Sequence, residues 1–198
     1  MSSVRDYELK DFFDYVIQVL DDLDIPYMVV GGFAAIFYGE PRMTLDIDII
    51  ADVKKKHIDP LANRFSLPEF YISKESVLDA LSRRYPFNII QPSTGAKADM
   101  MPLPRDIYSR IAFKRRKRLA IDASGREAFF IAPEDMIIAK LLAFQATGSD
   151  KHLRDARGVL QIQWEYLDFF VLRKTADATG VREQLEMLEQ SISEEKEQ

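Results

Sequence analysis

Two aspartates, Asp46 and Asp48, interrupt the apolar run Leu45-Asp46-Ile47-Asp48-Ile49-Ile50. Aspartate is among the residues least favoured in strands, so the pair asks for a reason. Side chains alternate faces along a strand. That puts both carboxylates on one side and Leu45, Ile47 and Ile49 on the other, with the two aspartate backbones about 7 Å apart. Carboxylates at this spacing can converge on one cation, and without it each raises the other's pKa at a cost in stability. A hard divalent ion that takes carboxylate and phosphate oxygens together, Mg²⁺, is the natural occupant. A strand with one face in water would show the same two residues, and that plainer reading stays open here.

Upstream, Gly31-Gly32 falls where a short apolar segment, Tyr27 to Val30, gives way to a short helix, Phe33 to Tyr38. Free backbone N–H groups and the helix dipole attract phosphate at such a junction. Glycine removes the Cβ that would keep an anion away, although a tight turn alone also accounts for it. Arg42 and Thr44 lie just ahead of the aspartate strand, within reach of the same anion.

These residues need elements to hold them. Phe12, Phe13, Val16, Ile17, Leu20 and Leu23 recur at helical spacing, predicting an amphipathic helix over Asp6 to Leu23 that stops at Ile25-Pro26. Strands are expected over Tyr27 to Val30 and Thr44 to Ala51. Lys54 to Arg84 reads as two helices interrupted around Pro68. A hairpin is expected from Phe87 to Gln91 and Ala96 to Met101, turning at Pro92-Ser93-Thr94-Gly95. A helix from Arg105 to about Lys117 and short strands at Leu119–Ile121 and Ala128–Ile131 follow. Beyond residue 132 the strand signals stop. Pro133 opens a helix to Ala146, with further helices from about Asp150, Trp164 and Val181. The expected organisation is an α+β core, residues 1–132, with a helical C-terminal part, residues 133–198.

Composition narrows the function classes. The chain has 198 residues, a net charge of −5 and no cysteine. Disulfides and thiolate metal sites are excluded, in keeping with a reducing cytoplasm. No apolar run is long enough for a membrane span. An acidic protein is not a nonspecific nucleic-acid binder as a whole, but Lys114, Arg115, Arg116, Lys117 and Arg118 form a local basic run. His57 and His152, the only histidines, lie far apart among charged residues, so a zinc site or a serine–histidine triad is not expected and both read as surface residues. Trp164, Tyr166, Phe169, Phe170 and Val171 read as helix packing. Val181, Leu185, Leu188 and Ile192 form one apolar face, either covered by the core or paired with another chain.

Gly31-Gly32, Gly39-Glu40-Pro41-Arg42, Thr44 and Asp46-Ile47-Asp48 together resemble the nucleotidyltransferase superfamily that shares its fold with DNA polymerase beta. The resemblance implies a third acid on a later strand, which falls on Asp99 in Ala96-Lys97-Ala98-Asp99. Ala132 to Leu160 is similar to the matching segment of the abortive-infection nucleotidyltransferase toxins. That similarity implies a triphosphate contact at Lys140 and a following charged pair at Arg154-Asp155. Glycine stands at position 32, where many members carry a serine whose hydroxyl helps hold phosphate.

The resemblance implies transfer of a nucleoside monophosphate from a nucleoside triphosphate to an acceptor hydroxyl. Asp46, Asp48 and Asp99 would hold one or two Mg²⁺ ions. Gly31, Gly32, Arg42, Thr44, Lys140 and Asp155 would bind the nucleotide. The toxin-type relatives imply an RNA acceptor, such as the end of transfer RNA, met by the Lys114–Arg118 run, and a cognate antitoxin. Two other readings remain: transfer onto a small antibiotic-type acceptor, and a non-catalytic antitoxin-like binding module.

Overall fold

Proline and glycine set the boundaries of most elements, and the computed structural model shows how. It describes residues 3–40, 44, 46–121 and 125–196, with residues 3–9 described by their backbone alone. Helix α1 (Ser3–Asp22) ends one turn before Pro26, and helix α2 (Gly31–Tyr38) starts at the double glycine. Asp24 takes a left-handed conformation, φ 51°, and the Ile25 N–H reaches back to the Leu20 carbonyl at 2.9 Å. The stop is thus a left-handed cap that satisfies an end carbonyl, ahead of the proline.

The chain divides into two units, one of Met1–Phe33 with Met43–Phe130 and the other of Ala34–Arg42 with Ile131–Gln198. The first holds a mixed six-stranded sheet. Its strands are β1 (Tyr27–Val30), β2 (Asp46–Ala51), β3 (Phe87–Gln91), β4 (Ala96–Pro102), β5 (Lys117–Ala120) and β6 (Glu127–Phe130), in the spatial order β3-β4-β2-β1-β6-β5. The expected hairpin is present as the antiparallel pair β3–β4. β1 and β2 are also antiparallel, whereas β2 and β4 run parallel. A parallel pair needs a long crossover. Here it runs through α3 (Ile58–Arg64), α4 (Lys74–Arg83) and β3.

Burial alternates along the strands as period two demands. Ile47, Ile49 and Ala51 of β2, and Ala96, Ala98 and Met100 of β4, are buried, while the residues between them are not. Phe12, Phe13, Val16, Ile17 and Leu20 of α1 are buried as well, and Phe12 joins an aromatic cluster with Tyr15, Phe65 and Phe70. Each fully buried side chain of this size is worth about 1.5–3 kcal/mol of transfer free energy.

α5 (Ile107–Arg115) begins at an Asp106 cap, whose carboxylate accepts the Ser109 N–H at 2.7 Å. It ends two residues short of expectation, because Arg116 is extended and β5 starts at Lys117.

In the second unit, α6 (Pro133–Thr147) is followed by α7 (Asp150–Gln163), α8 (Phe169–Thr179) and α9 (Arg182–Lys196). α6 has Pro133 in its first turn and a left-handed Gly148 at its end. Buried residues run almost unbroken from Pro133 to Leu141, which marks it as a central helix. The helical segment expected from Trp164 begins there as a 3₁₀ turn, Trp164–Tyr166, and the α-helix starts at Phe169, where the Asp168 carboxylate accepts the Val171 N–H at 3.0 Å. Trp164 packs edge-on against Phe169, whereas Tyr166 and Phe170 are 82% and 75% exposed and are not packing residues. Val181, Leu185, Leu188 and Ile192 are all buried, so their face is covered within the chain. No helix among the described residues is long and apolar enough to cross a membrane.

Candidate active site

The parallel pairing of β2 with β4 decides which side chains meet. Its register sets Asp48 beside Asp99 and Asp46 beside Lys97. Partners in register point to the same face, and none of these four is buried. The three acids anticipated from two distant segments therefore occupy neighbouring positions on one face. β1 completes the arrangement from the other side of β2, with Val30 opposite Asp48, so that the chain leaves the sheet at Gly31 next to that aspartate.

Gly31 has φ +65°, and a Cβ there would lie 1.9 Å from Asp48 Oδ2. The following residue, Gly32, donates its N–H to Asp48 Oδ2 at 3.2 Å. The double glycine thus serves the carboxylate directly: its bare backbone lets Asp48 approach, and its amide holds it. Thr44 turns its hydroxyl onto the Asp46 carbonyl at 3.2 Å, a local contact at the start of β2. Arg42 lies outside the described residues.

Two neighbours of Asp99 were not anticipated as site residues. Lys97 places its ammonium 3.0 Å from Asp99 Oδ2 and 3.8 Å from Asp46 Oδ1. That hydrogen bond to Asp99, together with the charges of Asp99, Asp46 and Asp48, holds the lysine above its ordinary pKa. Asn88, the cross-strand partner of Asp99 on β3, donates its amide to Asp99 Oδ1 at 2.8 Å when oriented to face the acceptors around it. The signal for Lys97 lay in the sequence: in Lys97-Ala98-Asp99, period two puts the lysine on the acid's face.

Among the described residues, no three acidic or histidine side chains stand already gathered around a metal position. Asp99 is turned to Lys97 and Asn88, and Asp48 to Gly32. The residues nonetheless fit a divalent cation. All the acidic donors are hard carboxylate oxygens, as Mg²⁺ prefers. The face already draws an ammonium, and three carboxylates against that one lysine leave an excess of two negative charges.

The helical unit carries a second charged constellation. Lys140 of α6 and Asp155 of α7 pair at 2.6 Å, with side chains only 8% and 9% exposed. An ion pair so far from water survives by good geometry and further hydrogen bonds. His152 lies near both, and burial first, then the Lys140 charge, lowers its pKa. His57 corrects the sequence expectation outright. It is buried, its Nδ1 accepting the Lys54 N–H at 3.0 Å, because the turn before α3 folds it inward.

The basic run is also less available than its sequence suggests. Arg116 lies between the rings of Phe113 and Phe129, 4.4 and 4.8 Å from their centroids, and donates to the Phe113 carbonyl. Arg118 pairs with Glu127 at 2.8 Å. Lys114, Lys117 and Arg118 remain exposed.

Structural comparison places this arrangement among known folds. ANT(2″)-Ia, in its crystal structure with adenylyl-2″-tobramycin, matches with a TM-score of 0.57 at 15% identity, over 89% of this chain and 98% of that one. The solution structure of the same antibiotic-resistance factor matches with a TM-score of 0.52 at 14% identity, over 88% and 94%. An antigenic nucleotidyltransferase-like protein from Paracoccidioides brasiliensis is 22% identical over 77% of this chain and 74% of that one, with a TM-score of 0.43. At such identities the likeness concerns the fold. No curated protein matches the sequence. A family profile described as a nucleotidyltransferase of unknown function, DUF6036, matches residues 7–197, almost the full length. With the glycine elbow, the aspartate strand and a third acid in register beside it, the chain belongs to that nucleotidyltransferase family.

Proposed function

We propose that the protein transfers a nucleoside monophosphate from a nucleoside triphosphate to an acceptor hydroxyl, using Asp46, Asp48 and Asp99. The observation that carries this reading is the β2–β4 register, which aligns Asp48 with Asp99 one strand from the Gly31–Gly32 elbow. Asp46, Asp48 and Asp99 would hold Mg²⁺, which when bound neutralises phosphate charge in the displacement. The chain's own residues do the rest. Asp99 would take the proton of the acceptor hydroxyl as the new oxygen–phosphorus bond forms and pyrophosphate departs. The Gly32 N–H fixes Asp48, so that this carboxylate need not be reorganised during the reaction. Gly31, Gly32 and Thr44 of the first unit are proposed phosphate contacts, and the family resemblance makes Arg42, Lys140 and Asp155, all of the second unit, proposed nucleotide-binding residues.

For the acceptor we propose RNA. Its support is the exposed basic group Lys114, Lys117 and Arg118, which suits backbone phosphates. A toxin-type role with a cognate antitoxin extends the same reading. A small antibiotic-type hydroxyl acceptor is the alternative, and the crystal structure of the fold neighbour with adenylyl-2″-tobramycin makes it worth an arm of the test.

The test incubates wild type and Asp46→Asn/Asp48→Asn with each α-labelled triphosphate, Mg²⁺, and separate pools of total RNA, protein and aminoglycosides. Label is expected in the RNA pool, falling by about 100-fold or more in the double variant. Undiminished transfer by the variant overturns the assignment, and label confined to another pool reassigns the acceptor.

A further inference from the structure

Lys97 stands where a site of this kind has no need of a cation of its own. It lies on β4 two residues before Asp99, in register with Asp46, on the face that presents the acids. Its ammonium bridges towards carboxylates from two strands, 3.0 Å from Asp99 and 3.8 Å from Asp46. A divalent ion that takes Asp99 and Asp46 as ligands competes with the lysine for the negative charge of both carboxylates.

The lysine is also suited to leave. Its side chain is 31% exposed, and a flexible four-carbon stem carries a compact charge with three rotatable donors. Arginine, with its fixed fork, would be harder to displace. Once expelled, the ammonium needs another anion, and the triphosphate of an incoming nucleotide supplies one.

We propose that Lys97 is a resident counter-ion that occupies the acid cluster in the free protein, yields it to the divalent metal, and passes to the triphosphate, so that metal and nucleotide bind cooperatively. This rests on the reading of Asp46, Asp48 and Asp99 as metal ligands, and it adds the residue that couples the two ligands. The coupling is reciprocal by linkage: the factor by which nucleotide tightens metal is the factor by which metal tightens nucleotide.

The experiment titrates Mn²⁺ by electron paramagnetic resonance into wild type, Lys97→Met and Lys97→Arg, each with and without a triphosphate whose α,β-bridge is methylene. Without nucleotide, Lys97→Met should bind Mn²⁺ more tightly than wild type, by a factor in the range of about 5 to 150 typical of such couplings. Addition of the triphosphate should tighten Mn²⁺ by a similar factor in wild type and by much less in Lys97→Met, with Lys97→Arg binding Mn²⁺ less tightly than wild type when nucleotide is absent. A lysine that merely props the fold gives the opposite sign, since its loss would loosen the site. Equal or weaker Mn²⁺ binding by Lys97→Met overturns the counter-ion role while leaving the enzymatic reading intact. Failure of every protein to bind Mn²⁺, with or without nucleotide, overturns both. Should the methionine variant not fold, wild type decides alone: the side-chain amine resonance of Lys97 must shift on Mg²⁺ addition, and a static resonance overturns the proposal.

Discussion

At Gly31 two constraints coincide. Its φ of +65° excludes most side chains, and a Cβ would fall within bonding distance of Asp48 Oδ2. Gly95 offers a natural control, with φ +75° but nothing within 4 Å of its would-be Cβ. Gly95→Ala should lose only the left-handed preference, about 1–2 kcal/mol. Gly31→Ala should lose that and also push Asp48 from its hydrogen bond with Gly32. Urea unfolding should therefore show a larger fall in midpoint for Gly31→Ala, and only that variant should lose Mn²⁺ binding. Equal effects at the two glycines would mean that Asp48 tolerates displacement.

Between elements, the Lys140–Asp155 pair ties α6 to α7. Removing one partner from a buried pair leaves the other charge in a poor environment, at a cost of about 3–5 kcal/mol, whereas replacing both with apolar groups is often neutral. Lys140→Met alone should be strongly destabilising, and Lys140→Met/Asp155→Leu should regain most of the loss. Chemical denaturation of the two singles and the double closes the cycle. If the double variant proves as unstable as Lys140→Met, the pair's worth lies in contacts other than its mutual charge. The basic run makes a related point. Five consecutive cations look alike in a sequence, but one of them, Arg116, spends its charge on Phe113 and Phe129 at the turn from α5 into β5.

Over the whole molecule, the two histidines set a pH dependence. Burial, then nearby lysine charge, lowers the pKa of both His57 and His152 from the ordinary 6.5. As pH falls, the unfolded chain protonates them first. The stability associated with their neutral forms is thus present above about pH 6.5 and lost below it, as the folded-state values are approached. The urea midpoint should drop between pH 7.5 and 5.5, and His57→Gln should flatten that slope. An unchanged slope would show that His57 titrates alike folded and unfolded.

Much of this protein is written locally. The alternation that buries Ile47 and Ile49 and leaves Asp46 and Asp48 on the other face needs only the period of a strand, and glycine and proline mark most boundaries by their own backbone geometry. The aspartate pair, the double glycine and the hairpin were therefore legible in the sequence, and the family match extends that reading to nearly the whole chain. Three features were not. The parallel register that aligns Asp48 with Asp99 spans a crossover of two helices and a strand. The burial of His57 depends on how that crossover folds. The grouping of Ala34–Arg42 with Ile131–Gln198 joins segments separated by the length of the sheet-bearing unit. The first and third are pairings of segments distant in sequence, and no local window contains both partners. For the same reason Lys97, an ordinary lysine in its own strand, becomes a counter-ion for Asp46 only once β2 and β4 lie side by side.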